Sequence, residues 1–361
     1  MDFDEIIKEQ MKNVVDQDNL DSLSDYASNL SGGISEHFTI DKILEATLNG
    51  KSIFDSQEII TSLKELFLYE IKSALIVGVE ILTICIVIGL LKNLSGSFSK
   101  KGVSDIATLT CSIVIIGLAM ANFNTIYQLT IDSMKTIAYT MDILLPILIA
   151  ILISMGQVAS GTIMSPLLLT AVTIFQTIIK NIVLPAIFVS TVLSLINCLT
   201  EKDYVNQLSK FIRQLALFVT GIIMTIMSGI IAIQGLIAKT SDSLLIGTAK
   251  YSIDEFIPIV GGFTADTIEL FIKCMGSIKN VVGLFGIILI VILILTPIIK
   301  ILAISVIYKV TALLIEPITS KKLSGGIGDI GTSLVTMGAI LFFGSLLFII
   351  FITSIINLGV S

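Results

Sequence analysis

The sequence has no tryptophan and a single histidine, His37, among its 361 residues. One histidine cannot build a His-rich zinc site or an H-E-x-x-H pair, and the apolar part of the chain has no base for a Ser-His-Asp triad. No GxxxxGK[ST] loop occurs, so the common route to nucleotide phosphates is missing. The four cysteines, Cys85, Cys111, Cys198 and Cys274, lie in or beside apolar runs without CxxC spacing. They read as small buried hydrophobes, not as metal ligands or disulfide partners. Charge is scarce as well. Only 14% of residues are Asp, Glu, Lys or Arg, against roughly 25% in soluble domains, so water is not the main solvent. These shortages point away from an enzyme, and no cofactor is expected.

What is present is isoleucine and leucine. Hydrophobic residues make up 54% of the chain and the mean hydropathy is +0.99. Charge divides unevenly: residues 1–70 carry 15 acidic and 5 basic side chains, and residues 71–361 carry 13 acidic and 17 basic. The first part has a net charge of −10 and the second of +4, with the break at the first long apolar run. This predicts an acidic helical extramembrane region over 1–72 and a polytopic transmembrane domain over 73–361. An acidic head also argues against nucleic acid, whose phosphates need clustered Lys and Arg.

Within the head, Phe3, Ile6, Ile7, Met11, Val14 and Val15 fall near helical spacing, and residues 16–36 read as a polar linker. Residues 40–48 and 57–71 read as further helices. Eight apolar runs follow: 74–91, 106–123, 143–158, 163–179, 182–199, 215–238, 281–299 and 334–358. A helix crosses about 30 Å of hydrocarbon with about 20 residues, so the expected fold is an all-α bundle of about eight spans. The short 143–158 run, with Pro146, pairs with 163–179 as a candidate re-entrant hairpin. Residues 301–315, with Lys309 inside and Lys300 just before, read as an interfacial piece or a kinked continuation of the preceding run.

Lys and Arg in the connections set orientation. Lys92, Lys100 and Lys101 follow the first run; Lys202, Lys210 and Arg213 the fifth; Lys300, Lys309, Lys321 and Lys322 the seventh. An external N-terminus puts all three groups in the cytosol. An external head needs an export signal, and Met1-Asp2-Phe3-Asp4-Glu5 lacks the basic start and apolar core of one. A signal peptide removed ahead of this sequence is the expected resolution; an inverted orientation is the alternative.

Several polar positions are candidates for pore lining or helix pairing. Glu80 sits inside the first run, where a carboxyl group is costly; it either pairs with Lys72 or another helix, or lines a path. Gln157, Gln176 and Gln234 read as interhelical hydrogen-bond partners. Lys180 and Asn181 precede Pro185, and Lys300 follows Pro297, which suits Lys-anchored span ends, or broken helices beside a cavity. Glycines 221, 229, 235, 283, 286, 338 and 344 read as sites of close helix packing. Gly326-Ile327-Gly328-Asp329 spells the G-x-G-D string of intramembrane aspartyl proteases. That chemistry needs a second buried carboxylate, and neither Asp132 nor Asp142 lies inside a long run, so residue 329 reads as part of a flexible Ser/Gly-rich loop.

From residue 143 onward a set of short blocks recurs in fixed order: Leu144-Leu145-Pro146, Lys180-Asn181-Ile182-Val183-Leu184-Pro185, Gln234-Gly235, Thr248-Ala249-Lys250, Phe256-Ile257-Pro258-Ile259-Val260-Gly261-Gly262 and Lys279-Asn280-Val281-Val282-Gly283. In these blocks the chain resembles the stage III sporulation protein AE family of endospore-forming bacteria; the head matches only loosely. The resemblance implies a non-enzymatic membrane component of the complex joining mother cell and forespore, in the mother-cell-derived membrane around the forespore. Its implied partners are the other stage III sporulation A-operon proteins: a cytosolic ATPase, ring-forming proteins and small membrane subunits. Self-association is also open. The alternative from another class is an independent secondary transporter for a small solute, with Glu80 and the proline-broken runs at its site.

Overall fold

An uninterrupted apolar sequence favours uninterrupted helix, because hydrocarbon offers no water to satisfy backbone N–H and C=O groups. The computed structural model describes residues 56–97, 101–200, 205–256 and 261–358, and every regular element among them is helical. The order is α1 (Ser56–Ser97), α2 (Lys101–Ser154), α3 (Val158–Ile178), a π-helical turn (Ile179–Val183), α4 (Leu184–Leu199), α5 (Asn206–Phe256), α6 (Gly261–Ile315) and α7 (Lys321–Ile356). The readings placed on residues 1–55 and 257–260, including His37, lie outside the described residues.

The eight runs are not eight separate helices. Run 106–123 and residues 143–154 of the next run fall in α2, which carries Pro146 inside it. Runs 163–179 and 182–199 join end to end through the π turn. The reason is Pro185, which has no N–H to donate and whose ring crowds the carbonyl four residues back. The helix widens by one residue ahead of it, and the Leu184 N–H bonds Ile179 O. Run 281–299 passes through Pro297 without stopping, so 301–315 is its continuation in α6. Five helical stretches among the described residues are long and apolar enough to cross a membrane: 109–154, 166–199, 206–233, 272–315 and 321–356. α1 carries the 74–91 run and continues unbroken through residue 72.

Two boundaries are set by local chemistry. α2 ends in a Schellman turn: Gln157 N donates to Leu152 O (3.1 Å), Gly156 N to Ile153 O (2.9 Å), and Gly156 takes φ +81°. The turn therefore lies at 155–157, slightly earlier than the gap between the two apolar runs. α7 begins at Lys321, because Ser320 caps it by accepting from Leu323 N (3.3 Å). The expected Ser/Gly-rich loop is thus the first three turns of α7. Two of its glycines are needed for close packing: a side chain at Gly326 would run into Cys198 Sγ, and one at Gly331 would meet Ser305 O at 3.0 Å.

Successive rods alternate in direction. Ala119 accepts from Tyr308 Oη (3.1 Å), Leu144 lies against Gly286, and Met155 lies against Gly276, so α2 and α6 run antiparallel in steady register. α6 and α7 form a second antiparallel pair, from Gly283 beside Ile356 to Ser305 donating to Gly331 O (2.8 Å). α1 runs parallel to the second half of α6: Glu70 meets Lys300, and Gly78 lies against Ile307. α4 runs against α7, and α5 turns back along α4. The α4–α5 and α6–α7 connections therefore share one end of the bundle, toward which α1 also points.

The interior is closed by apolar side chains. Phe123, Phe175, Leu148, Ile187, Ile290, Leu334, Phe348 and Phe351 belong to one continuous buried cluster. Aromatic contacts tie distant rods, with Tyr127 against Phe188 at 4.9 Å and Phe175 edge-on to Phe348 at 5.9 Å. In lipid such packing, not water exclusion, holds helices together. α5 is the exception: only 28% of its apolar stretch is buried, and Phe211, Phe218 and Ile233 are each at least 60% exposed.

A polar cavity at the basic end of the bundle

Inside this apolar bundle α4 carries a polar stripe: Ser190, Thr191, Ser194 and Asn197 are all buried. Buried polar groups cost free energy unless they are hydrogen-bonded, and each of these finds a partner on a neighbouring helix or loop. Ser190 Oγ donates to Ser209 O (2.6 Å) while Ser209 Oγ donates to Ser190 O (2.8 Å), a reciprocal clasp between α4 and α5. Thr191 Oγ1 lies 2.7 Å from Ser333 Oγ on α7. One turn further on, Ser194 Oγ donates to Asp329 Oδ2. Asn197 Oδ1 accepts from Val205 N at 3.4 Å. Cys198 Sγ donates to Lys322 O (3.1 Å), and Lys322 Nζ donates to Thr200 O (2.9 Å).

Asp329 also faces Arg213 of α5, with Nη1 at 3.7 Å from Oδ1. The guanidinium side chain is 8% exposed and the carboxylate 24%. Arg213 Nε and Nη2 have no hydrogen-bond partner among the described residues. A charge so placed is held by its counter-charge, because an unpaired ion at that depth is expensive. Beside this pair opens a cavity of about 310 Å³. α4 contributes Ser194 and Asn197 to its wall, α5 contributes Asn206 and Lys210, and α7 contributes Lys321, Lys322 and Asp329. It sits where α5 and α7 begin, so the positive ends of two helix dipoles are close by.

Of the seven polar positions singled out from sequence, none of the six with described side chains lies in the wall of that cavity. Glu80 is exposed on the outside of α1, within electrostatic range of Tyr308, whose hydroxyl has Asn122 for a neighbour. Gln157 is buried at the far turn, and its Oε1 has no hydrogen-bond partner among the described residues. Gln176 is half-buried in α3. The side chain of Gln234 lies outside the described residues. Lys180 and Asn181 are exposed on the π turn, in mid-rod and not at a span end. Lys300 is likewise inside α6, 4.0 Å from Glu70 Oε2.

Lys180 and Lys300 share a level with another exposed pair. Lys135 Nζ donates to Asp132 Oδ1 at 2.7 Å, both side chains being more than half exposed. Met134 and Phe175 both pack on Gly344, which puts Asp132 level with Lys180. Lys300 lies two turns from Tyr308, the partner of Ala119, and so falls near the same height. The α2–α6 contact from Ala119 to Met155 is about 54 Å long at about 1.5 Å per residue, well beyond about 30 Å of hydrocarbon. A band of exposed charge therefore crosses part of the bundle between two apolar zones.

Sequence reading missed the pairing of Ser194, Arg213 and Asp329. Its signal was the hydroxyl spacing on α4 and an arginine one turn beyond Ser209 in an otherwise apolar helix. Asp329 is helical and paired with a guanidinium and a hydroxyl, not with a second carboxylate, and the loop assignment is corrected accordingly. The glycine reading holds at Gly283, Gly286, Gly338 and Gly344, where an added Cβ would meet a neighbouring helix within 3.3 Å, but not at Gly221 and Gly229, which face open space.

Comparison with known proteins agrees with the sequence motifs and extends them. The family model for stage III sporulation protein AE matches residues 38–359, reaching into the acidic region where the motifs were loose. The chain is 30% identical over 315 residues to stage III sporulation protein AE of Bacillus subtilis (strain 168), covering 86% of this chain and 78% of the relative. No solved structure matches. A match running through α1 to the end of α7 means that the whole bundle, basic cavity included, is family territory: the chain belongs to the stage III sporulation protein AE family.

Proposed function

We propose that this protein is a non-enzymatic membrane subunit of the channel-like sporulation complex linking mother cell and forespore, and that it acts by assembly with sister subunits. The observation that carries the reading is a bundle closed along its axis by packed Ile, Leu and Phe, while residues 206–233 of α5 are left largely uncovered by the other described residues. A transporter working alone needs a polar site deep between its helices. Here Glu80, inside the first apolar run, and Lys180, between two of the runs, are on the outside. Any conduit then lies between subunits, with energy from a separate ATPase and passage gated by the assembly.

In this reading the protein sits in the mother-cell-derived membrane around the forespore, with the Lys210, Lys321 and Lys322 end in the cytosol and the start of α1 on the far side. That orientation follows from the alternating rods, which bring the basic connections to one end. Liposomes containing the purified chain alone test it. They are expected to be no more permeable to small solutes than protein-free liposomes, and permeability is expected to appear only when sister subunits are incorporated with it. Saturable, substrate-selective uptake by the chain alone would favour the independent transporter instead.

A further inference from the structure

We infer that the cavity at the basic end is a binding site for a phosphate-class oxyanion. Its wall brings Lys210, Lys321 and Lys322 from two helices around one concave space, together with the amides of Asn197 and Asn206. At about 310 Å³ it lies at the lower end of the range for small-ligand sites. Among the described residues the one acidic side chain in the wall is Asp329, and both its oxygens are engaged, one by Arg213 and the other by Ser194. With Arg213 cancelling that carboxylate, the described wall keeps the charge of Lys210 and Lys321, while Lys322 is engaged by Thr200 O.

Lysines that served only as membrane-surface anchors would spread outward around the rim. Lys210 and Lys321 are instead exposed at the mouth of one shared cavity, between the positive ends of two helices. Behind them the buried guanidinium of Arg213 has two nitrogens without a partner among the described residues. Charge-assisted N–H···O bonds to phosphate oxygens suit both lysine and amide donors. The phosphate belongs either to a lipid headgroup reaching the bundle end or to a free anion from water; the cavity chemistry is the same for both.

The test uses the full chain in mild detergent. One arm measures thermal stabilisation by inorganic phosphate against chloride at constant ionic strength. The other measures retention of phosphatidylglycerol against phosphatidylcholine by native mass spectrometry. The test variant is Lys210→Gln with Lys321→Gln, two exposed side chains outside the packed core; the control is Lys64→Gln with Lys72→Gln on the outside of α1. Binding in the first arm, the second or both is expected to weaken at least about tenfold in the test variant and to persist in the control. A response in the phosphate arm identifies a free anion, and a response in the lipid arm identifies a headgroup. Should the double variant fail to fold, Lys321→Gln alone takes its place. Absence of both responses in the parent chain, or equal loss in test and control variants, overturns the site, whatever the outcome for assembly.

Discussion

Arg213 and Asp329 face each other across the α5–α7 boundary at 3.7 Å, and Ser194 of α4 closes the triangle on the other carboxylate oxygen. The consecutive helices α4 and α5 are joined to the distant α7 by one polar cluster at the end of an apolar bundle. Removing one partner strands the other. Asp329→Asn and Arg213→Met are each expected to destabilise the detergent-solubilised protein by about 2–3 kcal/mol, at or below the bottom of the range for buried pairs because Asp329 is partly exposed. The double variant is expected to recover much of the loss, as seen in half-melting temperature by size exclusion. A double variant as poor as the two single losses added together would mean that the residues act independently. If it sporulates normally, Asp329 has no role as a catalytic carboxylate.

Close approach of α6 and α7 makes a second, geometric prediction. A Cβ at Gly331 would sit 3.0 Å from the backbone oxygen of Ser305, and that backbone has little room to give. Gly331→Ala is therefore expected to cost about 1–3 kcal/mol through overpacking, whereas Gly221→Ala and Gly229→Ala, mid-helix and facing open space, should be neutral or raise the isolated chain's stability by up to about 1 kcal/mol. Equal effects at all three positions would contradict the packing described.

The far end offers another test. Lys279 is fully buried, and its Nζ donates to Leu358 O just past the end of α7, where the helix dipole favours a cation. Lys279→Met leaves that carbonyl unpaired and should lower stability by about 1–3 kcal/mol. Protease sensitivity of the C-terminal turn is expected to rise with it, and unchanged protection would argue that the bond does not hold the end of α7.

Exposed charge in mid-bundle bears on how the molecule sits in lipid. Asp132 and Lys135 are more than half exposed, and lipid-facing ions deep in hydrocarbon are costly. In a background without the four native cysteines, Asp132→Cys and Lys135→Cys are expected to react with a water-soluble maleimide in intact membranes, while Val114→Cys, on an apolar exposed stretch of the same helix, stays protected. Protection at all three positions would put the charged band inside the bilayer or under a partner.

Much of this architecture was legible from residue types. The Ile/Leu runs announce membrane helices, and the basic connections announce a common end. What was not legible is where the runs join. Pro146, Pro166 and Pro297 look like breaks, yet each lies inside a helix, and Pro185 is absorbed by a single widened turn. Gly325, Gly326, Gly328 and Gly331 look like a loop because glycine is a poor helix former, but tight packing on α4 and α6 outweighs that preference at Gly326 and Gly331. The cavity was hidden for a related reason. Ser194 and Arg213 lie on consecutive helices, but Asp329 is 135 residues beyond Ser194, and only the antiparallel register of α4 against α7, with α5 beside them, brings the three together.

The central claim is that a lipid-embedded bundle does its work as part of an assembly. Extraction of a tagged chain from sporulating cells in mild detergent, followed by size exclusion and identification of what travels with it, tests this most directly. The account predicts a complex well above the 38.9 kDa of one chain, containing other stage III sporulation proteins. A chain that comes out alone, and stays folded and monodisperse in buffer once detergent is removed, would contradict both its place in lipid and its role in the assembly.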